Sequence, residues 1–173
     1  MPTIETKSNF AMGRVWFLPI LLLLIVLIWL GIRIALPNTP TIFAGTRPSN
    51  LGIQSGMLAS CPPTPNCVSS QSQYLEHYIK PLTYSGNPQQ AFANLKQIIQ
   101  DRERANLIGD TDNYIYAEFT SKWMGFVDDV EFYLNENAGE IDIRSASRLG
   151  ESDLGVNRQR IEKIRNQFNR SIS

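Results

Sequence analysis

The sequence predicts an α+β domain, a four- to five-stranded antiparallel sheet with two helices on one face, preceded by a single transmembrane helix. Three observations predict it. Residues 15–32, VWFLPILLLLIVLIWLGI, carry no charge. Two later segments place apolar residues at helical spacing, and between them four short runs alternate apolar and polar residues. The implied boundaries are an N-terminal tail over 1–14, an anchor over 15–36, a linker over 37–46 and the α+β domain over 47–173. An irregular collar, 47–76, opens that domain.

The apolar run comes first. As a helix of 18 residues it would span about 27 Å, close to a hydrocarbon core of ~30 Å. Trp16 and Trp29 stand near its ends as interfacial residues do. Pro19 falls in the first turn, where a missing N–H costs least. A cleaved signal peptide is the rival reading. Its apolar stretch would be shorter, ~7–15 residues, and would end at a small-x-small site, whereas here Arg33 follows at once and Ala35 and Ala44 make a poor site. Lys7 and Arg14 precede the run and Arg33 and Arg47 follow it, so basic residues leave the orientation balanced.

The cysteines bear on orientation. In CPPTPNC, Cys61 and Cys67 close a short ring stiffened by three prolines. A disulfide is the simplest reading, and it requires an oxidising compartment, which puts the domain on the non-cytoplasmic side. The alternatives are inert thiols, a zinc site that recruits His77, or a Cys–His nucleophile pair. The zinc reading supplies three ligands where a structural site takes four. No metal or cofactor is expected.

Residues 78–84, YIKPLTY, read as an edge strand, because Pro81 cannot donate to a ladder. In NPQQAFANLKQIIQDRE, Asn87 caps, Pro88 suits the first helical position, and Ala91, Phe92, Leu95, Ile98 and Ile99 form one core stripe. The strands NLIGD, YIYAEFTS, FVDDVEFYL and EIDIRSAS follow, with turn chemistry in DTDN and NENAG. Alternation in the second implies a sheet with one covered face. VNRQRIEKIRNQF closes the domain as a helix with Ile161, Ile164 and Phe168 inward.

One residue breaks the pattern. Phe126, Asp128, Val130, Phe132 and Leu134 share a strand face, so Asp128 is directed at the core. A carboxylate there costs several kcal/mol unless it is paired and hydrogen-bonded. Charge is segregated along the chain: nine acids and one base lie between Asp110 and Asp142, and seven bases and three acids from Arg144 onward. The closing segment therefore offers partners in Arg148, Arg158 and Arg160. Arg144, on the opposite face, is expected to meet Asp129 or Glu131 across the sheet. Ser145, Ser147, Asp153 and Asn157 complete either a buried network that locks loop and helix to the sheet, or the wall of a pocket whose arginines take a lipid headgroup or a carboxylate. No nucleophile with an activating base stands out, and no catalytic residue is expected.

The segments RPSNLGIQSGMLASCPPTPNCVSSQ, HYIKPL, FVDDVEF and IRSASRLGESDLGVNRQRIEKIR closely resemble the bacterial and plastid family called domain of unknown function 1499, over roughly residues 47–170. The resemblance implies no activity. It does imply export or membrane tethering, in a plasma or thylakoid membrane. With a formal charge of zero, nothing points to nucleic acid. The expectation is a single-pass, non-enzymatic binding or assembly factor beside a membrane complex. The alternative is a small-ligand or lipid-binding module with an arginine-lined pocket.

Overall fold

The computed structural model describes residues 12–36, 39 and 41–171, with 12–16 described by backbone alone. Glu5, Lys7 and the side chains of Arg14 and Trp16 lie outside the described residues. The chain forms two units, Met1–Thr39 and Pro40–Ser173. The first contains α1, Met12–Ala35. Its segment Phe17–Ala35 has a mean hydropathy of 2.7 and is long and apolar enough to cross a bilayer, as an anchor or a signal sequence.

The second unit is an α+β domain in the order β1 (Cys67–Ser69), β2 (Leu82–Thr83), α2 (Pro88–Gln100), β3 (Ala105–Asp110), β4 (Tyr114–Thr120), β5 (Val127–Asn135), β6 (Glu140–Ser147) and α3 (Val156–Ser171). The expected four-strand meander forms an antiparallel sheet ordered β6-β5-β4-β3. Both β1 and β2 pair with the outer side of β6. Asn87 caps α2 by accepting from the Gln90 N–H at 2.9 Å, with Pro88 in the first turn.

The core lies between the sheet and the two helices. Leu95 and Ile99 from α2, Ile161, Ile164 and Phe168 from α3, and Ile115, Phe132, Ile141 and Ile143 from the sheet are fully buried in one cluster. Each such side chain stabilises the fold by about 1.5–3 kcal/mol relative to exposure.

Three expectations change. The edge strand over 78–84 shrinks to Leu82–Thr83, consistent with Pro81 having no N–H to donate. The collar, expected to be irregular, contributes β1, whose Val68 enters the core. The sheet is also covered on both faces. Tyr116, Asp129, Glu131, Asp142 and Arg144 all point away from the helices and are all buried.

Part of that second cover is the chain around residues 45–52. Gly45, at φ +68°, passes so close that a Cβ there would sit 2.9 Å from the Arg148 Cβ. The backbone N–H of Gly52 donates to Glu131 Oε1 at 2.7 Å.

Candidate functional site

The two-residue period of β5 separates its acids. Asp128 pairs in register with Phe119 and Ser147 on the helix side, while Asp129 and Glu131 face the other way, Glu131 opposite Arg144. The polar residues singled out from the sequence thus form two networks, back to back across the sheet.

On the helix side, Asp128 is 7% exposed and pairs with Arg160 from the second turn of α3. Arg160 Nη1 also donates to Asn157 Oδ1 at 2.6 Å and Ser145 Oγ at 3.1 Å. Its guanidinium carbon lies 5.0 Å from the Phe119 ring centroid. Asn157 is fully buried. It accepts from Ser145 Oγ at 2.5 Å and donates to Asn66 O and to Ser147 Oγ, each at 3.0 Å. Asp153 accepts from the Asn157 N–H at 2.7 Å and from the Gly155 N–H at 3.0 Å. Loop, helix and sheet are locked together, and the inward acid is matched as its cost demands.

On the outer side, one guanidinium serves two carboxylates. Arg148 Nε donates to Asp129 Oδ2 at 3.0 Å and its Nη2 to Asp129 Oδ1 at 2.7 Å. Nη2 also pairs with Glu118 and donates to the Tyr116 hydroxyl at 3.1 Å. Tyr116 lies 2.6 Å from Asp129 Oδ1. Arg47 reaches Glu118 from the rim at 2.6 Å.

Beside this cluster, Glu131 accepts from Tyr114 at 2.8 Å, from Arg144 Nη1 at 3.2 Å and from the Gly52 amide. Asp142 accepts from Ser70, Gln71 and Asn135. Burial lowers the proton affinity of Arg148, and the hydrogen bonds to Asp129 and Glu118 raise it; the carboxylates win and hold the guanidinium charged. Burial pushes the Tyr116 phenol up, and the neighbouring Asp129 carboxylate adds to that, so it stays a donor. Burial alone would lift Glu118, but hydrogen bonds from Arg148, Arg47 and Tyr116 hold it below its usual value.

Two placements differ from expectation. Arg148 does not approach Asp128; it belongs to the opposite face, because the strand period continues one step past Ser147. Arg158 belongs to neither network. It donates to the carbonyls of Tyr78 and Glu76 at 2.8 and 2.9 Å and ties the β1–β2 connection to α3. Cys61 and Cys67 are joined in a disulfide, so neither is available to metal or as a nucleophile.

A groove of about 330 Å³ opens beside Asp128, between α3 and the end of the β3–β4 hairpin. Arg102, Arg104, Lys122, Arg160 and Lys163 line it against only two carboxylates, Glu103 and Asp128. Of the five cations, only Arg160 belonged to the expected site. The others sit in the α2–β3 connection, in the β4–β5 turn and on α3; the hairpin register brings Ala105 opposite Phe119 and so gathers them at one end of the sheet. Arg102 donates to Gln167 at 2.5 Å, yet its buried Nε has no acceptor. Burial and then the nearby Arg160 charge lower its proton affinity.

Fold and polar architecture define the class: a small α+β domain, in a chain with an N-terminal apolar helix, that buries five charged residues, Asp128, Asp129, Glu131, Asp142 and Arg144. A family model described as "Protein of unknown function (DUF1499)" matches residues 57–168, and the chain belongs to that family. No curated protein and no solved structure gave a significant match.

Proposed function

We propose that the chain is a membrane-tethered binding module, with no chemistry of its own, that holds a small anionic group in the groove beside Asp128. In this reading α1 is an uncleaved anchor, and the Cys61–Cys67 disulfide favours the non-cytoplasmic side of a plasma or thylakoid membrane. The observation that carries it is the groove's lining, five cationic side chains against two carboxylates, in which the Arg102 guanidinium stands near that of Arg160. A phosphate or carboxylate in the groove would supply acceptors to both.

The inward acid and the acids held by Arg148 are engaged within the fold. Asp128 is engaged by Arg160, and Asp129 and Glu118 by Arg148. Those networks therefore support a structural role, and the groove supports a binding one.

The test titrates inorganic phosphate into the full chain held in discs of neutral lipid. Saturable binding is expected. Arg102→Gln should weaken it about tenfold, the scale of one charge-assisted hydrogen bond. Asp128→Asn, which removes the carboxylate competing for Arg160, should strengthen it. Absence of saturable binding, or indifference to Arg102, refutes the reading.

A second reading, an assembly factor beside a membrane complex, draws on Tyr74 and Leu75, which are 72% and 90% exposed in the β1–β2 connection. Mild crosslinking in native membranes that repeatedly recovers no membrane protein would remove it.

A further inference from the structure

The β4–β5 turn, residues 121–126, reads SKWMGF, and its large apolar side chains face outward. Trp123 is 48% exposed, Met124 40% and Phe126 38%. Lys122 lies over the Trp123 ring at 4.6 Å. On the α3 side of the groove, Val156 is 46% exposed. A tryptophan with apolar neighbours and an adjacent lysine is the composition that partitions into a bilayer interface: the ring suits the headgroup level, and a long basic side chain keeps its charge in water.

The chain also enters the domain at this turn. Thr41 Oγ1 donates to the Met124 carbonyl at 2.9 Å, and Phe43 packs on Phe126 with ring centroids 5.4 Å apart. Gly125, at φ +75°, makes the contact feasible, since a Cβ there would stand 2.5 Å from Thr41 Cγ2. Thr41 follows Ala35, the last residue of α1, by six residues. Whatever the orientation of the two units, six residues of extended chain reach at most ~20 Å. Once α1 spans a bilayer, the turn cannot travel far from its surface, and its local concentration there is correspondingly high.

We infer that this end of the sheet docks in cis on the bilayer that holds α1. Trp123, Met124 and Phe126 enter the interface, and the cationic groove takes the headgroup of an anionic lipid. The inference rests on the groove's being an anion site, and it names the source of the anion. Two features favour lipid over a soluble anion: the apolar residues bordering the groove, which free phosphate would not use, and the short connection to α1. The excess of positive charge lining the groove complements an anionic leaflet, where each basic group near the surface contributes about 1 kcal/mol.

The test uses the full chain with an environment-sensitive fluorophore on Met124→Cys; both natural cysteines are held in the disulfide. Discs of phosphatidylcholine alone are compared with discs that contain phosphatidylglycerol. The expected result is a blue-shifted probe, protected from aqueous iodide, in the anionic discs only, with the protection relieved by salt. Lys122→Gln and Lys163→Gln should each shift the ratio of docked to undocked turn by about fivefold. A probe equally open to iodide in both discs overturns the inference. So does protection that ignores lipid charge and both substitutions, which would mark the turn as an apolar contact with another protein. If phosphate still binds the groove in neutral discs while the probe stays open in anionic ones, the anion site stands and its lipid source falls. If neither occurs, both fall.

Discussion

Arg148→Met removes the side chain on which the outer face depends most. Arg148 is 6% exposed, and the two acids it serves are 1% exposed for Asp129 and 16% for Glu118. After the substitution Glu118 keeps Arg47, but Asp129 retains only the Tyr116 hydroxyl at 2.6 Å. Removing one member of a buried ion pair costs about 3–5 kcal/mol, because the other charge is stranded in a poor solvent. At a slope of ~2 kcal/mol per molar urea, the midpoint of sheet unfolding should fall by about 2 M. The full chain in detergent, followed by circular dichroism, gives that reading.

The double substitution Arg148→Met with Asp129→Asn is the sharper measurement. It leaves no charge stranded at that position, so it should recover ~2–3 kcal/mol relative to the sum of the single losses. A midpoint shift below about 0.5 M for Arg148→Met would refute the view that one guanidinium holds this face together. Single losses that simply add would refute it as well.

Three other perturbations follow from the same geometry. Asn157→Ala should cost about 3 kcal/mol in the same unfolding assay, since it strips partners from Ser145, Arg160, Ser147 and the Asn66 carbonyl at a fully buried site. Acid should weaken the fold by a route that runs partly through Glu118. Its folded-state pKa is depressed, so its contribution is complete above the ordinary value of 4.5 and is lost as pH falls from there through the folded value; Glu118→Gln should flatten that part of the pH–stability curve. Cutting the Cys61–Cys67 link by paired serines should cost about 2 kcal/mol, small because the ring closes over a sequence separation of six, and reducing agent should reproduce the loss in the wild-type chain.

Much of the domain was legible because its elements have strong periods. The stripe Ala91, Phe92, Leu95, Ile98 and Ile99 and the alternation of Ile115, Ala117 and Phe119 each name a buried face, and those residues are buried apart from Ile98, which is half-buried against the same core. What escaped was short or non-periodic. Three residues, Cys67–Ser69, are too few to show an alternation, and their place beside β6 depends on a chain path set by the proline-rich ring before them. The second cover of the sheet was illegible for a related reason. Alternating polar residues normally mark a solvated face, and here Tyr116, Asp129, Glu131 and Arg144 alternate correctly but meet one another beneath a loop.

The site was legible to the same depth. Parity alone put Asp128 inward and Arg144 opposite an acid, and both placements hold. Parity also had an answer for Arg148. Its amide N–H donates to the Val127 carbonyl at 3.2 Å, so the strand pattern runs past its formal end and sends the side chain to the outer face. The groove needed more than parity. Arg102 and Arg104 are distant in sequence from Lys122 and Lys163, and only the β3–β4 register together with the docking of α3 brings them to one wall.

The buried charges also say which parts of the chain the fold requires. The outer face carries five carboxylates, Glu118, Asp129, Glu131, Glu140 and Asp142, against two arginines of its own, Arg144 and Arg148. An uncovered sheet could leave that imbalance to water. A covered one must supply donors, and the collar and β1 connection do so: Arg47 to Glu118, the Gly52 amide to Glu131, and Ser70 and Gln71 to Asp142. Arg47 and Gly52 precede residue 57, where the family match begins. Residues 47–52, ahead of the matched region, are therefore bound into the fold by the acids they donate to.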